Sequence, residues 1–187
     1  NEGLQRAELH RKIWSIADNV RGAVDGWDFK QYILGILFYR FISENMRDYF
    51  NKAEYEAGDV EFNYADISDE EALKYFKAGT VEEKGFFILP SQLFENVVKT
   101  ANEQDDLNVQ LDNIFKEIEG SAVGHGSEED IRGLFRDVDL TSDRLGETVQ
   151  EKNTKLTNIL VGISELNFGN FEDNHIDAFG DAYEYLI

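Results

Sequence analysis

Apolar residues return every three to four positions along most of this chain, and nowhere alternate for long at every second position. That is the signature of helices with one buried face. Leu9, Ile13, Ile16, Ala17 and Val20 make one such stripe, with Arg11, Lys12, Asp18 and Asn19 opposite. Arg21-Gly22 follows as a stop, a cation at the carbonyl end and a residue that tolerates positive φ. From about Asp28 to Tyr49 a second helix is predicted, apolar nearly all round through Phe41, as a central helix covered by its neighbours would be.

A polar, acidic connection then runs over residues 51–67, long enough to need ordering through Tyr55, Phe62 or Tyr64. Ser68-Asp-Glu-Glu71 reads as a capping box opening a short helix with Leu73, Tyr75 and Phe76. Residues 80–84 read as a loop and 86–89 as a short extended piece, because Pro90 biases Leu89 away from helix. A helix over 91–100 follows, burying Leu93, Phe94, Val97 and Val98. Asp105-Asp106 open another, with Leu107, Leu111, Ile114, Phe115 and Ile118 inward. After a small-residue loop at 120–126, Ser127-Glu-Glu-Asp130 caps a helix carrying Ile131, Leu134 and Phe135. A longer helix over 146–166 turns Val149, Leu156, Ile159, Leu160 and Ile163 inward. Past a turn at 168–171, Ile176, Phe179, Tyr183 and Leu186 keep helical spacing to the end without a stop signal, as expected of one part of a larger protein. The expected fold is an all-α compact bundle of seven to nine helices, with at most a minor extended segment near 86–89.

Composition narrows the class. At 187 residues the chain suits a single domain burying roughly 70% of its unfolded surface. Fourteen Phe and eight Tyr argue against disorder, and zero Cys removes disulfides, thiolate metal sites and a cysteine nucleophile together. No basic–apolar leader and no membrane-length apolar run is present, so a cytoplasmic protein without a membrane partner is expected.

The net charge of −20 is unevenly placed. Residues 1–50 balance at seven basic and seven acidic side chains, whereas the remainder holds 11 basic against 31 acidic. Such a surface repels phosphate, whose neutralisation supplies most non-specific DNA affinity.

Several segments resemble a known family. Trp14, Ala17-Asp18 and Arg21-Gly22 with the apolar block 34–38 look like the start of the methylation (modification) subunit of type I restriction–modification systems. Gly85-Phe-Phe-Ile-Leu-Pro-Ser91, Leu111-Asp-Asn-Ile-Phe115, Leu134-Phe-Arg-Asp-Val-Asp139 with Leu145-Gly146, and Asp181-Ala-Tyr-Glu-Tyr-Leu-Ile187 follow in that family's order. The resemblance implies that residues 1–187 are a single helical N-terminal domain of a larger N6-adenine DNA methyltransferase subunit. Its catalytic domain would lie beyond 187 and use S-adenosylmethionine. The implied partners are a specificity subunit, a second modification subunit, a restriction subunit, and DNA through the assembled complex. The domain would serve assembly and closure of the complex around DNA.

No catalytic constellation is visible in these residues, so the domain alone is expected to be inactive. The family's Asn/Asp-Pro-Pro-aromatic segment cannot occur, because the one proline, Pro90, follows Leu89. Gly124-His-Gly126 follows a helix rather than a strand, which fits an interhelical loop better than a cofactor cradle. Asp137-Val-Asp139-Leu-Thr141-Ser-Asp143 spaces oxygens like a calcium loop but lacks glycine at the sixth position and glutamate at the twelfth. His10, His125 and His175 are too scattered for a metal site, and no Gly-x-Ser-x-Gly elbow exists. Trp14 and Phe38 read as core. Arg11, Lys12, Arg21 and Trp27 are the candidate DNA or partner contacts, the cations because they sit in the charge-balanced part; Trp27 reads either as core or as an anchor beside Gly26, and Arg21 either as a phosphate contact or as a pair with Asp18 or Asp25 or a helix-end cap. A stand-alone acidic DNA mimic or protein-interaction domain is the alternative, although mimicry needs carboxylates arrayed along an extended surface. On either reading the isolated chain binds DNA poorly: a gel-shift titration at physiological salt should show no complex even at about 100 μM protein, the weak end of the usual non-specific range. A complex at lower concentration contradicts the charge argument.

Overall fold

The structure, a computed structural model, describes residues 26–126, 128–136 and 138–165, and of residues 26–31, 130 and 134 the backbone only. The expected helix over 9–20 with Trp14, the turn at 168–171 and the stripe from Ile176 to Leu186 lie outside the described residues. Those described form an all-α bundle of seven helices.

Helix α1 (Gly26–Glu56) runs for 31 residues through the middle, about 46 Å at 1.5 Å per residue. Every residue from Tyr32 to Leu37 is buried, as are Tyr39, Phe41 and Ile42, so the all-round apolar pattern does mark a central helix. Phe38 is partly buried against the same core. The helix outlasts its expected end by seven residues, because the stop is Gly58 and not the polar run after Tyr49. Gly58 has φ +105°; its N–H donates to the Tyr55 carbonyl (3.0 Å) and that of Asp59 to the Glu54 carbonyl (2.9 Å). This is the Schellman closure, which needs the left-handed conformation glycine tolerates.

The connection to α2 (Asp69–Tyr75) is ordered by Tyr64 and Phe62, two of the three residues suggested for it; Tyr55 is 62% exposed. Phe50, Tyr64 and Phe76 pack ring to ring at 4.4–5.9 Å, and Phe62 stacks on Phe76. The Ser68 hydroxyl accepts from the Glu71 N–H (3.1 Å), so the expected cap is present. Ala72 and Phe76 face inward while Leu73 and Tyr75 lie outside.

Residues 80–84 are not a loop but the second half of α3 (Lys77–Lys84). Thr80 is buried and its hydroxyl donates back to the Phe76 carbonyl (2.5 Å), and the helix closes on Gly85 at φ +85°. Helix α4 (Phe94–Thr100) starts three residues later than expected, after a 3-10 turn at Pro90–Gln92. The N–H and hydroxyl of Ser91 both donate to the Asp69 carboxylate (3.0 and 2.6 Å), which holds that turn against α2.

Between α3 and α4 residues 86–89 are extended, with no strand beside them among the described residues. Phe86, Phe87 and Ile88 are 8%, 4% and 0% exposed, so a non-helical strap crosses the core. Burying each such side chain stabilises by roughly 1.5–3 kcal/mol, whereas each unpartnered backbone group inside costs about 1–3 kcal/mol. Side chains supply the partners. Phe87 N–H donates to the Ser121 hydroxyl (2.9 Å), Ile88 N–H to Met46 Sδ (3.2 Å) and Leu89 N–H to Gln92 Oε1 (3.1 Å). The Ile88 carbonyl accepts from the Tyr64 hydroxyl (2.7 Å).

Helices α5 (Leu107–Ser121), α6 (Glu128–Phe135) and α7 (Val149–Ser164) complete the bundle. Leu111, Phe115 and Ile118 are buried, and Phe115 stacks on Phe135 at 4.3 Å. Ser127 of the expected cap lies outside the described residues. Helix α7 begins at Val149, capped by Thr148, and not at Gly146. Val149 is 52% exposed, which corrects its inward assignment, while Leu156, Ile159, Leu160 and Ile163 are buried as expected. A Cβ on Gly146 would lie 2.6 Å from Glu151 Cβ, so this turn requires glycine.

Tyr39 and Tyr64 titrate above the ordinary tyrosine value; burial is the cause for both, with the Asp69 charge adding to it at Tyr64. A neutral form favoured only in the folded state means stability is present below pH ~10 and lost as pH rises past it. Tyr64→Phe should cost about 1–3 kcal/mol at neutral pH by orphaning the Ile88 carbonyl. It should also flatten the alkaline loss of stability. Urea melts between pH 7 and 11 test both, and an unchanged neutral midpoint contradicts the strap argument.

Candidate functional site

Arg11, Lys12 and Arg21 lie outside the described residues. Trp27 occupies the first turn of α1, and its side chain lies outside them as well. Whether these four side chains meet lies outside the described residues.

Many of the described cations are engaged within the chain. Arg40 reaches Glu44 (2.8 Å) and the Ile163 carbonyl (2.5 Å), joining α1 to the end of α7. Arg47 pairs with Glu95 (2.9 Å) and Asp48 (3.0 Å); burial works against its charge, but those hydrogen bonds outweigh it and raise its pKa. Lys116 pairs with Asp112 (2.7 Å), Arg132 with Glu128 (2.7 Å), and Lys84 lies 4.6 Å over the Tyr49 ring. Lys152 is buried against the Thr141 carbonyl (3.0 Å) and Asp143 (3.3 Å). Cations held by partners are poorly placed to neutralise phosphates.

The weighed loops resolve into ordinary turns. Gly124-His-Gly126 lies between α5 and α6, Gly124 at φ +85°, and its N–H donates to the Glu128 carboxylate (3.2 Å). A loop between helices with a carboxylate on its amide does not fit S-adenosylmethionine, which needs a strand-to-helix turn with amides left for the ligand. Asp139 accepts from both the N–H (3.0 Å) and hydroxyl (2.9 Å) of Thr141, and Asp143 faces Lys152; Asp137 lies outside the described residues. Among the described residues no group of three or more His, Asp or Glu side chains is placed to hold a metal ion. No described helix is long and apolar enough to cross a membrane.

A groove of about 600 Å³ opens between the 3-10 turn Ala101–Glu103 and α7, lined mainly by amides and hydroxyls: Asn102, Gln104, Gln150, Asn153, Thr154 and Asn158. Its floor is tied to the core. Asn153 Oδ1 accepts from the Asn108 N–H (3.0 Å) and its amide nitrogen donates to the Asp105 carbonyl (2.8 Å). A side chain of α7 thus caps α5, while Asp106, at the N-cap position itself, makes no side-chain cap bond. The one signal in the sequence was Asn153 itself, a polar residue beside the inward stripe of α7.

Comparison with known proteins gives this bundle its relatives. The family described as the HsdM N-terminal domain matches residues 9–163. The chain belongs to that family. This HsdM N-terminal domain is 47% identical to the type I restriction enzyme MpnII methylase subunit of Mycoplasma pneumoniae, over 98% of its own length and 35% of the relative's. The crystal structure of the type I restriction-modification system methyltransferase subunit from Streptococcus thermophilus superposes with a TM-score of 0.72 at 29% identity, covering 97% of this chain and 38% of that one. The chain therefore spans little more than a third of the length of these relatives.

Asn153→Ala should remove the α5 cap and destabilise the fold by about 1–2 kcal/mol, while Asn153→Asp, which keeps the acceptor, should cost less. Chemical denaturation of the two variants measures the difference; equal losses would remove Asn153 from the capping role.

Proposed function

We propose that this HsdM N-terminal domain is a non-catalytic scaffold, residues 1–187 of a larger type I modification subunit, and that it serves subunit assembly and closure of the complex around DNA. The observation that carries this is the pairing of coverage with chemistry. Nearly all of the chain aligns with about a third of each relative, and several of its described polar side chains are engaged in caps, turns and ion pairs. On this reading the parent transfers a methyl group from S-adenosylmethionine to adenine N6. Cofactor and base would be held by the portion outside this chain, since Gly124-His-Gly126 is the wrong kind of loop for the cofactor.

The partners are then a specificity subunit, a second modification subunit and a restriction subunit, with DNA met through the assembled complex. Most contacts made by the domain are with protein, because 31 acidic against 11 basic residues beyond position 50 repel phosphate. Any face turned toward DNA or the specificity subunit belongs to the charge-balanced part, where Arg11, Lys12, Arg21 and Trp27 lie. Solubility and a cytoplasmic site go with that role.

Two measurements test this. Methyl incorporation into target duplex should require the full-length subunit together with its specificity subunit; incorporation by the 187-residue chain alone overturns the scaffold reading. Charge reversal at Arg11, Lys12 and Arg21 in the full-length subunit should weaken complex assembly or lower the salt slope of DNA binding, by about one for each phosphate left without its cation. Unchanged assembly together with an unchanged salt slope removes those three residues from the interface.

A further inference from the structure

One stretch of this acidic chain is free of carboxylates. Residues 152–164, between Glu151 and Glu165, hold no Asp or Glu, the longest such run outside the central helix. These residues are most of α7. Thr154, Asn158 and Val161 are exposed, Val161 at 39%, and Thr157 is half-buried. Of the two lysines in the run, Lys152 is buried on Thr141 and Asp143 and Lys155 is half-buried. The same face forms one wall of the groove described above, whose other wall brings Asn102 and Gln104. Depletion of charge, more than hydrophobicity, is what distinguishes the centre of a protein interface. Amide and hydroxyl groups each match the donors and acceptors of another polypeptide.

We infer that this groove and the outer face of α7 are the seat on which the remainder of the parent modification subunit docks. The inference rests on the reading that the chain is one domain of such a subunit. Three observations select this occupant. Phosphate finds Asp105 in the groove lining and no cation. A second copy of the chain brings another −20 of like charge. The relatives run on to well over twice the length of this chain, so a larger body stands within tether reach, where a weak contact is populated by effective concentration.

The chain holds no cysteine, which makes thiol labelling a clean probe. Thr154→Cys, Asn158→Cys and, as an exposed control on α2, Glu70→Cys are introduced singly into the full-length subunit and into the 187-residue chain. Maleimide labelling is then followed peptide by peptide. In the full-length subunit the two α7 positions should label at least about tenfold more slowly than the control, and in the short chain at a similar rate to it. Equal rates in the full-length subunit overturn the proposal. Slow labelling already present in the short chain, or protection that changes with subunit concentration, assigns the face to the chain itself or to a second copy and overturns it equally. A reading frame that stops at Ile187 instead refutes the parent reading, and the docking proposal falls with it.

Discussion

A helical bundle has one recurrent difficulty: wherever the chain is not helical but still buried, its peptide groups have no partners of their own. Here the difficulty is concentrated at residues 86–89, which cross the core in extended form. The partners come from four separate elements, namely Met46 of α1, Ser121 of α5, Tyr64 of the preceding connection and Gln92 of the following turn. The same device recurs at helix ends. Ser43 of α1 accepts from the Phe94 N–H that opens α4 (3.0 Å), and Asn153 of α7 accepts from the first turn of α5. A backbone group satisfied by a distant side chain ties two elements into one geometry. Non-directional apolar contact alone does not fix register so tightly.

Charge acts on a different level. A chain with −20 gains solubility at the cost of self-repulsion, and Arg47 with Glu95, Arg40 with Glu44 and Lys152 with Asp143 place cations where elements meet. Arg40 and Lys152 also donate to backbone carbonyls, at Ile163 and Thr141, so these cations join the α1–α7 contact and the approach to α7. An acidic shell with Arg40, Arg47 and Lys152 drawn into contacts between elements suits a body that meets other proteins. It suits a DNA mimic less, because the carboxylates are distributed around ordinary helical packing.

The helices were legible because their signals are local. The all-round apolar run through Phe41, the Ser68 cap and the inward stripe of α7 each rest on residues within a turn or two of one another. What failed depended on distance. Residues 80–84 read as a loop because Gly79 and Thr80 are poor helix formers, yet Thr80 bonds to its own preceding turn and Gly85 closes the helix. The start of α4 moved because Ser91 is held by Asp69, 22 positions away. Asp106 is a natural cap by type, but Asn153, 45 positions on from Asn108, takes the bond. The groove was illegible for the same reason, since the turn after α4 and the face of α7 meet only in the folded chain. The residues chosen as contacts, Arg11, Lys12, Arg21 and Trp27, were selected on charge balance and residue type, which carry no information about neighbours.

The motifs that carried the family resemblance bear on the role of the domain. Gly85 to Ser91 is the buried strap with its αL start and the Pro90 turn that ends it. In Leu111 to Phe115, Leu111 is fully buried and Phe115 meets Tyr39 edge-on at 5.1 Å. The segment ending in Asp139 offers its backbone carbonyl to the Tyr32 hydroxyl, and Leu145-Gly146 makes the turn that glycine alone fits. Each described motif therefore solves a packing or backbone problem, and none gathers nucleophiles, acids or phosphate-binding amides around an open space. A family identifiable by such residues is held to a shape. Shape is what a domain must supply if its task is to position other surfaces around DNA while the chemistry proceeds elsewhere.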